Sequence, residues 1–210
     1  MKVCELISNE IEFGKAGLYL VGGRPAMGKT AFARSVSIAI AEKGYKIGYF
    51  SFEHIRCDLF SDTKQTKNEG DMPKLEIDIL DTVPETVKNI EDNCIDKYYD
   101  MVIIDYLQLI DREDGSGIDV IDGLRRLADK LDIPVLVLSQ LPRTIETRDD
   151  HRPRVEDLSV YRIDPAIFDQ LFLLYRGSLY DDKEDPSKMT VIKKIGEDIL
   201  EWDEKSRSLL

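Results

Sequence analysis

The chain has 210 residues, 42 % hydrophobic and 33 % charged, which is enough apolar material for one α/β domain with its own core. Its net charge of −12 argues against a generally basic, nucleic-acid-coating surface, although it leaves room for a local basic loop. No apolar run approaches the roughly 20 residues that span a bilayer, and the opening MKVCELISNE lacks the form of a signal peptide, so a cytoplasmic protein with no membrane partner is expected. Cys4, Cys57 and Cys94 are scattered, share no metal spacing and suit a reducing compartment.

In chain order, Gly17–Val21 (GLYLV) is predicted as a buried strand, and Thr30–Lys43 as an Ala-rich helix stopped by Gly44. Lys46–Ser51 (KIGYFS) reads as the second strand. Residues 54–74 read as a polar, irregular loop, and Leu75–Leu80 as a weak strand. Thr82-Val-Pro-Glu85 has the form of a capping box with Pro in the first turn and predicts a helix to about Lys97. Met101–Asp105 (MVIID) is a strong buried strand. Ile118, Ile121, Leu124, Leu127, Ala128 and Leu131 fall at helical spacing and predict an amphipathic helix over Ile118–Leu131. Pro134–Ser139 (PVLVLS) and Gln170–Tyr175 (QLFLLY) are further strands. Two antiparallel strands are expected near Met189–Lys194 and Asp198–Trp202. The alternation of strand and helix implies a mainly parallel, covered sheet, and with no repeat or linker the whole of 1–210 is expected to be one domain.

Chemistry concentrates at four places. Gly23-Arg24-Pro25-Ala26-Met27-Gly28-Lys29-Thr30, followed by Ala31, matches G-x-x-x-x-G-K-[ST] between a predicted strand and a predicted helix. An ordinary glycine turn is the plain alternative. As a P-loop it would cradle phosphates on backbone N–H groups at the positive end of a helix, with Lys29 on the β- and γ-phosphates and the Thr30 hydroxyl on Mg²⁺. Asp105 ends the strand MVIID, where ligands bind in open α/β sheets; it is either a turn cap or a second Mg²⁺ ligand. Glu53, after YFSF, is either a solvated loop acid or the group that orients the attacking water. Gln140 ends PVLVLSQ and could sense the γ-phosphate. His54 and His151 read as surface residues and Trp202 as part of a core strand.

Read together, GGRPAMGKTAFA, YFSFE, MVIIDYLQLI, LADKLDIPVLVLSQLPR, HRPRVEDL and FDQLFLLYR keep the order and approximate spacing of one family. The chain resembles the C-terminal domain of DnaB-type replicative helicases over roughly residues 15–207. The pair DYLQL and LSQL-x-R separates it from recombinases of the same fold. The resemblance implies a RecA-like P-loop NTPase, with a mainly parallel twisted sheet flanked by helices and antiparallel strands at its C-terminal end. It further implies ATP and Mg²⁺ as cofactors. Lys29 and Thr30 would act on phosphate and metal, Glu53 as catalytic glutamate, Asp105 as the metal-holding acid and Gln140 as sensor. The DNA-contacting loop would lie at about Leu141–Arg154, with Arg143, Arg148, Arg152 and Arg154. Family members act as hexameric rings on single-stranded DNA, each ATP site completed by a neighbour.

The sequence departs from that pattern in four ways. The family's N-terminal helical domain and linker helix have no counterpart in these residues. The loop after Glu53 is short. Acidic residues before the last parallel strand are partly replaced, by Pro165 and Ile167. In Val191-Ile-Lys-Lys-Ile195-Gly196-Glu, Lys193 matches a family lysine, but Ile195 stands where the family has its trans-acting arginine. Two functions are therefore expected. One is an ATP-driven helicase core acting on single-stranded DNA in replication or mobile-element maintenance, self-associating into a ring or working with a replication partner. The other is an ATP-binding switch or helicase-associated factor with little hydrolysis.

Overall fold

The computed structural model describes residues 11, 13–52, 76–80, 86–111, 119–181, 183–185 and 189–192, together with the backbone of 188, 193–195 and 198–205. Strands β1 (Gly17–Gly23), β2 (Ile47–Ser51), β3 (Ile77–Leu80), β4 (Met101–Asp105), β5 (Pro134–Gln140), β6 (Gln170–Tyr175), β7 (Lys188–Ile195) and β8 (Asp198–Lys205) form one sheet. Their order is β3-β2-β4-β5-β1-β6-β7-β8. β1 to β6 run parallel, and β7 and β8 return antiparallel at one edge.

The apolar runs are continuous because both faces of the sheet are covered. Along β1, Leu18 and Leu20 enter one apolar cluster and Tyr19 and Val21 the other, as the two-residue period of a strand requires. Helix α1 (Lys29–Ala41) supplies Phe32, Ala33, Val36 and Ile40 to the second cluster. Helices α2 (Val87–Ile95) and α3 (Val120–Leu131) supply Ile90, Cys94, Leu124, Leu127 and Ala128 to the first. Among the described residues no helix is long and apolar enough to cross a membrane.

The helix starts depart most from expectation. The residues of the expected capping box, Thr82 to Glu85, lie outside those described, and α2 begins only at Val87. Thr86 caps it by accepting from the Asn89 amide at 3.2 Å. α2 also ends at Ile95, short of Lys97. Asp119 caps α3 in the same way, accepting from Ile121 N at 3.0 Å. The irregular loop expected over 54–74 falls outside the described residues. The long connection after β5 contains three short 3₁₀ turns, Arg143–Thr147, Val155–Tyr161 and Pro165–Ile167.

Candidate functional site

Since β1, β4 and β5 are parallel, their C-terminal ends meet at one rim of the sheet. The loop leaving β1 turns through Ala26 at φ 64° and Gly28 at φ 91° before entering α1. That left-handed step is what Gly28 is for, and residues of alternating hand form the kind of backbone nest that binds anions. Pro25, Ala26, Gly28, Lys29, Thr30 and Ala31 line a cleft of about 340 Å³, closed on its other side by Tyr106 and Gln140.

The predicted metal ligands meet beside it. Thr30 Oγ1 donates to Asp105 Oδ2 at 2.9 Å, across 75 residues of sequence. Tyr49 Oη, rising from β2, donates to the same oxygen at 3.1 Å. Asp105 is only 1 % exposed. Burial, and then the charge of Asp105, push the Tyr49 phenol well above its ordinary pKa, so it stays a donor. One carboxylate and one hydroxyl side by side are hard oxygen ligands suited to Mg²⁺, which takes its remaining ligands from phosphates and water. The described residues accordingly contain no cluster of three or more acids, histidines or cysteines that would hold a metal alone.

Lys29 Nζ donates to the Arg24 carbonyl at 3.2 Å. Gln140 is set by Gln108 of DYLQL, whose amide accepts from Gln140 N at 3.1 Å and donates to Gln140 O at 3.0 Å and to Ser139 Oγ at 3.0 Å. Arg176, just past β6, lies against the P-loop. A Cβ on Gly28 would meet its Nη2 at 3.4 Å, and its backbone N–H donates to Met27 Sδ at 3.2 Å. The buried Nε of Arg176 has no hydrogen-bond partner among the described residues. A half-buried guanidinium with an unspent donor beside an anion nest fits a polyphosphate. Gln108, Tyr49 and Arg176 were not singled out from the sequence; the Gln of DYLQL was the available signal.

The other predicted residues lie elsewhere or outside the described set. Glu53 is one residue beyond the last described position after β2, and His54 follows it. Lys193 is on β7, where its backbone pairs with Phe172 and Ile195 pairs with Asp198. Because β7 runs antiparallel to β6, Ile195 sits near the opposite rim of the sheet. It lies four residues past Val191, the position level with Gly23 through Leu174, or about 13 Å along the strand. Neither position approaches the P-loop of its own chain.

The four arginines expected to touch DNA have different surroundings. Arg148 is spent internally: Nη1 donates to Asp157 Oδ2 at 3.0 Å, and Nη2 pairs with Oδ1 of that buried acid. Arg152 lies 5.4 Å over the Tyr175 ring. Arg143 and Arg154 are exposed, paired with Glu146 and Asp150 respectively. His151, expected on the surface, is half-buried and stacks on Tyr180 with ring centroids 4.3 Å apart. Trp202 lies on β8, in a stretch described as backbone only.

The sequence model of the DnaB-like helicase C-terminal domain matches residues 60–197, well over half of the chain. The chain belongs to that family. The Replicative DNA helicase DnaB of Rickettsia bellii is 27 % identical to this DnaB-like domain over an alignment covering 94 % of it and 48 % of the relative, a coverage that takes in residues 23–30. That of Geobacillus stearothermophilus is 29 % identical, over 86 % of the domain and 48 % of the relative. The domain thus spans about half the length of the curated relatives it matches. A solved DnaB-like replicative helicase superposes with a TM-score of 0.76 at 24 % identity, over 89 % of this chain and 54 % of that one, and shows the fold. This DnaB-like domain therefore has the RecA-like ATPase fold of a replicative helicase.

Proposed function

We propose that residues 1–210 form one RecA-like motor domain that binds and hydrolyses Mg-ATP in the service of single-stranded DNA. The observation that carries this reading is the meeting of Lys29, Thr30, Asp105 and Gln140 around one cleft, with the Thr30 hydroxyl 2.9 Å from the Asp105 carboxylate. In this reading Gly23–Ala31 hold the phosphates and Lys29 leaves the Arg24 carbonyl for the β- and γ-oxygens. Thr30 and Asp105 hold Mg²⁺, which when bound draws charge from the phosphate oxygens. Glu53 accepts the proton of the attacking water. Gln140, held by Gln108, reports the state of the γ-phosphate to the following loop. Lys193 serves the site of an adjacent subunit in a ring, and Arg143 and Arg154 face the DNA phosphates.

Calorimetric titration tests the core of the proposal. Wild type is expected to take up Mg-ATP and Mg-ADP, and Lys29→Ala to lose most of that affinity. Wild-type protein that ignores both nucleotides at millimolar concentration overturns it.

The second reading, an ATP-binding switch or helicase-associated factor with little hydrolysis, draws support from Ile195 at the family's arginine position and from the internal use of Arg148 and Arg152. Turnover with and without single-stranded DNA, measured alongside solution mass, separates the two. DNA-stimulated turnover in a ring supports the motor; a slow monomer indifferent to DNA supports the switch.

A further inference from the structure

Arg24 is the second residue of the P-loop, yet its side chain turns away from the cleft. Only 11 % of that side chain is exposed. Its Nε and Nη2 donate to Glu146 Oε1 at 3.0 and 2.7 Å, and its Nη1 donates to the Leu141 carbonyl at 2.9 Å. Leu141 N in turn donates to Gly23 O at 3.2 Å. Three side-chain bonds and one backbone bond thus fasten the P-loop to the segment that leaves β5. The other oxygen of Glu146 accepts from Arg143 Nε at 3.3 Å, and the Arg143 side chain is 89 % exposed. On the opposite side, the Arg24 carbonyl accepts from Lys29 Nζ.

We propose that Arg24 is a positioning residue whose fork on Glu146 makes residues 141–147 respond to the filling of the P-loop. A polyphosphate in the cradle attracts the Lys29 ammonium far more strongly than a neutral carbonyl does, so the Arg24 peptide loses its cation. A planar fork bonded at three points leaves little slack, so the shift of that peptide reaches Glu146 rather than dissipating in rotamers. From Glu146 it passes to Arg143, the exposed cation of the segment. This path runs beside the one through Gln140 and shares no side chain with it. By linkage, an anion that engages Arg143 alters nucleotide affinity by the same factor by which nucleotide alters anion affinity. The inference rests on the P-loop binding nucleotide, as proposed above.

Hydrogen exchange over residues 141–147, with and without saturating Mg-ATP, reads the response directly. In wild type, Mg-ATP is expected to change exchange there by about fivefold, the lower end of typical coupling. Glu146→Gln keeps the size of the side chain but gives up the ionic fork. It is expected to bind Mg-ATP with affinity close to wild type in calorimetry, while losing most of the exchange response. Thr147→Ala removes a hydroxyl bond to Thr144 O inside the same turn, so it is expected to raise exchange in both states and keep their ratio. Glu146→Gln that binds Mg-ATP and keeps the full response overturns the tether, as does wild type that binds nucleotide without any response. Wild type that binds no nucleotide overturns the site reading itself, and the tether with it.

Discussion

Asp105 is a carboxylate withdrawn from water, and such a group is tolerated only when its oxygens are satisfied. Thr30 and Tyr49 share that work on Oδ2. If Thr30 turns to Mg²⁺ when nucleotide binds, Tyr49 stays on the acid and helps to hold its orientation. Tyr49→Phe is therefore expected to weaken Mg-ADP binding about tenfold, the value of a hydrogen bond to a charged group, while leaving ADP binding in EDTA nearly unchanged. Calorimetry under the two conditions checks this, and equal losses in both would show that Tyr49 serves only the fold. Lys29, Thr30 and Asp105 were legible in sequence because a spacing or a strand end marks each of them. Tyr49, the partner of Gln108 and the reach of Arg24 were not. Their bonds join residues 56, 32 and 122 positions apart, and only the order of strands in the sheet brings such partners together.

At the scale of elements, the segment after β5 is held by polar bonds as well as by the burial of Leu141, Ile145, Val155, Leu158, Ile163 and Phe168. Asp157, 3 % exposed, takes both arms of Arg148 and also accepts from the Arg154 amide at 2.8 Å. Asp157→Ala would leave the Arg148 fork and the Arg154 amide without their carboxylate, and the expected cost is about 3 kcal/mol, read from a urea melt. A change below about 0.5 kcal/mol would mean that the pair behaves as an ordinary surface bridge. Strands β2, β4, β5, β6 and β7 were read to within a residue at each end and β1, β3 and β8 to within two or three, since a sheet covered on both faces writes itself as apolar runs. Helix starts were harder. Thr82 and Thr86 stand one helical turn apart, and local sequence cannot decide which of them the chain bends at. The 3₁₀ turns of the connection left no periodic trace, because turns of three to seven residues are too short to carry one.

At the scale of the molecule, the candidate cleft occupies the rim where β1, β4 and β5 end, while the paired strand ends at Ile195 and Asp198 lie near the other rim. In the proposed ring, a side chain at position 195 would therefore serve the cleft of another copy rather than its own. Ile195→Arg is expected to raise ATP turnover by at least tenfold, because a correctly placed trans-acting arginine contributes on the order of 10³ or more. The gain is expected only at protein concentrations where light scattering detects assemblies. Wild-type turnover of tens per second would show that another cation already fills this role, with Arg176 the first to replace. A concentration-independent gain would contradict the geometry. The distance between the two rims also bears on inheritance. Substitutions more than about 10 Å apart act almost independently. Selection can wear away cooperation between copies at one rim while every copy still captures its own nucleotide at the other, so a lineage can abandon the collective machine by small steps and never pass through an inert protein.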